Sequence, residues 1–526
     1  MKKLISILLT SCIGSYACAD VADVVITSHT FFSARPHFQS ASPEREMFFR
    51  SDRLTALEDG YGTAIQVVGF GGKSTESCEL AKFFMPFGKS ELIVAEAKEA
   101  DTVSLQGDLD HTKDIEARHF NIETASDAPG TGFRSKIRFA PQQTFTGIGF
   151  DIRQILLRCD DNNPRAWLEV AFPVEHIKNK MHLSETIDPE FAALHIPPSS
   201  GIGLDNSHRA ADMIAAFKQS NWNYGKIDNN WYRCHGKWGV ADVEAKLNWS
   251  NYHSNYCRLE SYIGFVAPTG TKINKQHAAY VFTPVIGNNH HWGVLFGGHI
   301  NFDLVNHDEH HLAVAYDLDA RYLCENYQVR SFDLKDKQWS RYMEVYTSAS
   351  QATDATEDSG TSGINVFTKC VKVKPYYSTT CNTALTYSYC NIIAELGYNF
   401  YARHQEKVFL RHGAWKENVA LKSLNGNGQT SLARSIQKNF TNSDLARNPD
   451  EPGVNFDVTA IKYGDLNLNS AAHPAVFSNI IFGGLGYEWH ICDIPLFAGI
   501  GGSYEFSSIN TAINHWMVWG KVGISL

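Results

Sequence analysis

From Trp292 onward the chain alternates strictly. The even positions read Trp292, Val294, Phe296, Gly298, Ile300, Phe302 and Leu304; the odd positions read Gly293, Leu295, Gly297, His299, Asn301 and Asp303. A period of two predicts a strand with one apolar and one polar face. After His307-Asp308-Glu309 the pattern resumes as Leu312, Val314, Tyr316, Leu318, Ala320 and Tyr322, with Asp317, Asp319 and Arg321 opposite. Folding about Asp308 pairs Leu304 with Leu312, Phe302 with Val314 and Ile300 with Tyr316. Both apolar sets then share one face of a hairpin, an arrangement that a one-residue slip would destroy.

The same test succeeds along the chain. Ala241, Val243, Ala245, Leu247 and Trp249 alternate with Asp242, Glu244, Lys246 and Asn248, and Leu259, Ser261, Ile263 and Phe265 answer them across a turn near His253. Ile392, Ala394, Leu396, Tyr398 and Phe400 are interleaved with Glu395, Asn399, Tyr401 and Arg403. At the C-terminus, Phe506, Tyr504, Gly502, Ile500, Ala498 and Leu496 match Trp516, Val518, Gly520, Val522, Ile524 and Leu526, behind a strand holding Ile481, Gly483, Leu485, Tyr487 and Trp489. These runs are longer than the usual strands of soluble sandwiches, and aromatics gather at their ends as membrane girdles do. The fold predicted is all-β: a closed antiparallel transmembrane β-barrel of about 16 strands (roughly 14–18), with a short helix in a long loop, and its candidate strands include runs near 80–96, 131–141, 278–286, 339–348, 364–374, 381–403 and 454–468. By parity Asp242, Glu244, Lys246, Asp317, Asp319, Arg321, Glu395 and Arg403 line the lumen.

Composition fits that reading. Aromatic residues make up 12%, Gly (39) far outnumbers Pro (17), and mean hydropathy is −0.26, as expected when only alternate strand residues meet lipid. Nowhere do 18 consecutive apolar residues occur, which excludes a helical membrane protein. Lys2-Lys3, the apolar run from Leu4 and Ala17-Cys18-Ala19 form a secretory signal peptide over residues 1–19. An acylated Cys18 is the other reading of that segment, with Ser15 standing where a branched aliphatic residue is expected. The net charge of −9 makes a poor nucleic-acid binder. The 11 cysteines, two of them in the leader, are too sparse for a disulfide framework.

The terminal run Trp516-Met517-Val518-Trp519-Gly520-Lys521-Val522-Gly523-Ile524-Ser525-Leu526 resembles the C-terminal assembly signal of Gram-negative outer-membrane proteins, departing from it in ending on Leu526 rather than Phe. That resemblance implies recognition by the barrel-insertion machinery through Trp516, Val518, Val522, Ile524 and Leu526. The opening from Thr27 to Arg50, with Phe31-Phe32-Ser33-Ala34-Arg35-Pro36 and Phe38-Gln39-Ser40-Ala41-Ser42-Pro43-Glu44, resembles porin-like proteins that form paralogous sets in amoeba-associated intracellular bacteria. Membership implies a pore of medium to large size and identifies no catalytic residue; a homotrimer is the assembly compatible with a porin.

Residues 20–60 are expected as a periplasmic lead-in and 61–526 as the barrel, with long loops near 184–236, 349–362 and 412–453. Within the first loop Ala210, Ala211, Met213, Ile214, Ala215 and Phe217 recur at helical spacing, predicting a helix over 207–218 that either plugs the lumen or decorates an external loop. Cys370 and Cys381 bracket Pro375-Tyr376-Tyr377 and would face each other across a symmetric hairpin, which predicts a disulfide. The histidine groups His290-His291 and His307, His310, His311 read as turn residues, because His310 and His311 point to opposite faces of a strand. No G-x-S-x-G, no Ser–His pairing and no phosphate loop is present, so neither an enzyme nor a cofactor is expected. The function expected is passive diffusion of small hydrophilic solutes or ions across the bacterial outer membrane. The alternatives are a barrel-anchored adhesin or structural envelope protein, and a specific transporter of hydrophobic substrates. The last would need a plug domain, for which residues 20–57 are too short.

Overall fold

Twelve alternating segments pair edge to edge and return on themselves. In the computed structural model, which describes residues 27–46, 62–95, 114–122, 133–158, 164–189, 210–228, 236–254, 256–307, 309–335, 337–346, 361–421, 460–492, 494–507 and 509–526, they are β1 (Thr63–Ser74), β2 (Gln142–Arg158), β3 (Pro164–Lys180), β4 (Val243–His253), β5 (Cys257–Ala267), β6 (Gly293–His307), β7 (His310–Leu323), β8 (Tyr376–Tyr389), β9 (Ile392–Arg403), β10 (Val476–Ile491), β11 (Ile494–Phe506) and β12 (His515–Ser525). Each is antiparallel to the next, and β12 closes on β1 from Ala64–Ser525 to Ser74–His515. A thirteenth strand, Gly236–Val240, pairs outside the ring with the far end of β3. Closure removes every free edge, which lipid demands because it offers no hydrogen bonds to an open backbone.

Strand length and outer surface fit a bilayer. The strands run 11 to 17 residues, enough to cross a hydrocarbon core when tilted. The outward set is apolar and uncovered: Ile500 is 68% exposed, Leu396 63% and Val522 56%. Tyr252, Tyr256, Tyr389 and Tyr487 stand near one rim, and Trp292, Tyr322, Tyr377 and Trp516 near the other, the positions of interfacial aromatic girdles. The chain is a transmembrane β-barrel. No helix among the described residues is long and apolar enough to cross a membrane.

The two ends differ. One carries the short links between β2 and β3, β4 and β5, β6 and β7, β8 and β9, and β10 and β11. The other carries long connections that fold into a cap. Its core holds Phe83, Phe84, Phe120, Phe217, Trp222, Trp339 and Tyr342, around the helix Ser77–Phe84 and four small sheets. Bacterial outer-membrane barrels show the same asymmetry, with short turns on the periplasmic side and long loops outside.

Several expectations are corrected. The strand number is 12 rather than about 16, because the runs near 80–96, 131–141, 278–286, 339–348, 364–374 and 454–468 supply no wall strand among the described residues. Ser77–Phe84 is a helix that buries Leu80, Ala81, Phe83 and Phe84. The run 381–403 contains a hairpin, turning at Cys390 with φ 51°. Phe302 does pair with Val314 and Ile300 with Tyr316, yet a bulge leaves Val305, not Leu304, opposite Leu312. At the C-terminus the same faces meet two residues out of the expected register, with Tyr504 opposite Trp516 and Ile500 opposite Gly520. Cys370 pairs with Val329 in a cap sheet while Cys381 lies opposite Leu318 in the wall, so the two do not face each other and no disulfide joins them. The expected helix shortens to Met213–Ala216, capped by Asp212 and buried in the cap core, not the lumen. The leader, residues 190–209, 347–360 and 422–459 lie outside the described residues.

Candidate functional site

The inner wall is strongly polar, as parity requires once the outer face is committed to lipid. Among the described residues, the buried acids on β1–β12 are Asp151, Glu169, Glu175, Glu244, Asp317, Asp319, Glu395 and Glu505; the buried bases there are Arg153, Lys246, Arg321, Arg403 and Lys521. Glu244, Lys246, Asp317, Asp319, Arg321, Glu395 and Arg403 all face inward on these strands, and Asp242 sits just before β4, accepting from the Asn288 N–H at 2.5 Å and its Nδ2 at 2.8 Å. Asp151, Arg153, Glu169 and Glu175 escaped the sequence reading. Their signal was nevertheless present: Arg153 and Glu169 alternate with the outward Ile152 and Leu168.

The lumen is not open, because the chain's own N-terminal segment fills it. Residues 27–46 were expected in a periplasmic lead-in; instead they run from the cap into the barrel. Near the cap, Ser28 Oγ donates to Asp333 at 3.1 Å, the Arg341 guanidinium clasps Asp333 and the Ser28 carbonyl, and Arg330 stacks 3.3 Å over the Phe31 ring. Arg403 donates to the Ser33 carbonyl at 3.0 Å. Deeper, His37 stacks on Phe145 at 3.9 Å, and the Ala41 carbonyl accepts from Asn399 at 2.9 Å. Phe38 takes φ 61°, its N–H held by Glu44 Oε1 at 2.8 Å. Gly149 leaves room for that ring, since a Cβ there would lie 2.3 Å from it.

The segment ends in one helical turn, Pro43–Glu46, that delivers Arg45 to mid-lumen. Three strands meet it: Nε lies 3.3 Å from Asp151, Nη1 2.6 Å from Glu244 and Nη2 2.5 Å from Glu169. Arg45 and Asp151 are wholly buried. The Arg45 carbonyl accepts from Gln66 at 2.9 Å and Lys521 at 3.4 Å. Wall cations share the same acids: Lys246 reaches Glu169 at 2.6 Å, Arg153 reaches it at 3.4 Å, and Arg321 bridges Glu244 at 3.0 Å and Asp319 at 2.9 Å. Burying the charges of this cluster is tolerable only because each of its members is paired. The gap left beside Ser40, Glu46, Tyr262 and His299 is about 30 Å³, the room of about one water.

The lumen is two-sided. Phe70, Phe145, Phe482, Phe497, Met517 and Trp519 form an aromatic half-wall on β1, β2 and β10–β12, with Gly501 yielding space for the Trp519 ring. The charged half lies mainly on β3–β9. No group of His, Cys, Asp or Glu among the described residues is arranged to hold a metal ion.

In the cap, burial holds three histidines neutral. His29, desolvated and facing Arg341, is lowered to about 3; His291, by burial, to about 4; His473, buried beside Arg403, falls well below the usual range. His29 Nδ1 contacts the Ser470 carbonyl at 2.9 Å, so the segment's first turn is fixed by neutral hydrogen bonding. Of the other predicted turn histidines, His307 faces His310 across the β6–β7 hairpin, and His311 lies 3.1 Å from Asp303. The expected assembly-signal residues lie on β12 and the chain's last position, Trp516, Val518 and Val522 being exposed on the outer face.

No protein-family model matches the chain, and no curated protein does. Among solved structures, it is similar to an outer membrane channel from Pseudomonas putida F1 (9% identity, TM-score 0.37, 90% of this chain and 98% of that one). It is also similar to the transport unit of the autotransporter AIDA-I from Escherichia coli (7% identity, TM-score 0.30, 92% and 94%), and to a Pseudomonas aeruginosa FadL homologue (7% identity, TM-score 0.25, 88% and 89%). Likeness at this level carries no argument about function. The barrel assignment rests on the closed register and the apolar outer belt.

Proposed function

We propose that this chain is an outer-membrane channel for small hydrophilic solutes or ions, closed at rest by its own N-terminal segment and opened when that segment withdraws. One observation carries the reading: the lumen is filled by a separate stretch of chain that joins the wall through side chains and forms no strand ladder with it. A barrel serving only as an anchor has no need of a charged inner wall sealed by a removable piece. Proteoliposomes loaded with a small sugar test it. The parent chain should hold the solute, and a variant with residues 38–46 replaced by a Gly/Ser linker should release it within minutes. Retention by a correctly inserted variant would contradict the channel.

A second reading, a transporter of hydrophobic substrates, draws support from the aromatic half-wall of Phe70, Phe145, Phe482, Phe497 and Trp519. An apolar solute would slide along those rings while the charged half stayed hydrated. Competition between toluene and the sugar in the same vesicles separates the two.

A further inference from the structure

Resting on the channel reading, we infer that Asp151, Glu169 and Glu244 form a selectivity site for guanidinium-bearing organic cations, and that Arg45 occupies it as the chain's own surrogate ligand.

The geometry is that of a ligand site. Three carboxylates from three different strands converge on three nitrogens of one guanidinium, at 3.3, 2.6 and 2.5 Å. A planar fork satisfies three such acceptors at once; an ammonium is a point donor and cannot match the same spread. The wall provides this cage, while the occupant belongs to a segment with no ladder bonds to it. The site is also under-satisfied. Asp151 Oδ1 is buried without a partner, and both oxygens of Glu175, on the same strand and face as Glu169, are buried and unpartnered.

Charge points the same way. The wall's own cations Arg153, Lys246 and Arg321 neutralise part of the cage, yet buried acids on β1–β12 outnumber buried bases there by eight to five among the described residues. With Arg45 withdrawn, the lumen carries surplus negative charge, and a ring of acids favours cations over anions. Phe38, packed 5.6 Å from the Arg45 guanidinium, marks where an apolar part of the solute rests: against Phe70, whose ring lies 6.4 Å from it. The solute class is therefore a guanidinium or amidinium head with a short apolar or aromatic body.

Chemical rescue tests the assignment. Arg45→Ala and Arg45→Lys chains, folded in detergent and checked by heat-modifiable mobility on gels, are heated with methylguanidinium or ethylammonium. Methylguanidinium should raise the Arg45→Ala melting temperature at concentrations about tenfold below ethylammonium, a difference of about 1.4 kcal/mol. Glu169→Gln in that background should abolish the gain. In planar bilayers the Arg45→Ala channel should show a cation-selective reversal potential, and methylguanidinium should raise the open probability of the parent chain by competing with Arg45. Equal rescue by both cations, or none, overturns the site even where the variant conducts. Rescue in a variant that never conducts upholds the site and overturns the channel instead. If Arg45→Ala does not fold, Arg45→Lys and the parent-chain competition decide, and indifference of both to methylguanidinium counts against the site.

Discussion

The wall and the segment inside it are held by opposite means. Each wall strand is fixed by main-chain ladders on both sides, from Ala64–Ser525 round to Leu496–Ile524, so no single side chain decides its place. The segment 27–46 has no ladder. It depends on a handful of charges and aromatic contacts, with Arg45 central among them. A wall built this way tolerates substitution and does not move, whereas a segment built this way is exact in position yet releasable once its charges are screened or replaced. That contrast is what a gated pore requires, and several changes should strain one partner while sparing the other.

The largest effect falls on Arg45→Ala. Leaving buried acids without their partner costs about 3–5 kcal/mol, so hydrogen exchange across residues 38–46 should accelerate by roughly two to four orders of magnitude. Exchange in β1–β12 should not change. The converse substitution, Ile500→Lys, puts a charge on a residue 68% exposed to lipid and should cost about 2–4 kcal/mol of barrel stability. Urea titration of the gel-shift transition reads that loss, with the segment's exchange unaltered. Gly149→Ala comes next. Its Cβ would meet the Phe38 ring at 2.3 Å, displacing the ring at a cost of about 1–3 kcal/mol; leak of a small dye from vesicles should rise without loss of barrel. The smallest effect is on pH. His29 takes its proton near pH 3 in the fold but near 6.5 when unfolded, so its stability is complete above 6.5 and falls as pH drops below that. At pH 5.5 it should lose about 1.4 kcal/mol, and His291 a similar amount. Loss of cap tryptophan fluorescence between pH 6.5 and 4, with the barrel band intact, checks this.

What sequence could and could not tell follows the same division. Parity made the wall legible: Phe302 opposite Val314 and Ile263 opposite Leu247 are readable because each strand's two faces meet different solvents. Alternation does not say what lies beyond a sheet's apolar face, so the run around Leu92, Val94 and Ile137, which packs in the cap, looked like wall and inflated the strand number. The segment was illegible for a different reason. Ser40-Ala41-Ser42-Pro43 has no period, and the partners of Arg45 lie 106, 124 and 199 residues away. No local pattern encodes a contact of that kind. The inward charges Arg153 and Glu169 were visible by parity; that their neighbour would be an arginine from the chain's start was not.

Residues 38–46 sit in the lumen at rest and must leave it for the pore to open. Ala41 and Asn399 touch across that boundary at 2.9 Å, so cysteines placed at both positions in the Arg45→Ala background give a lock. Oxidation should silence the conductance of that channel and a reductant should restore it, while either cysteine alone should do neither. A channel that conducts equally in the oxidised and reduced states, with the cross-link confirmed by mass, would contradict the plugged lumen.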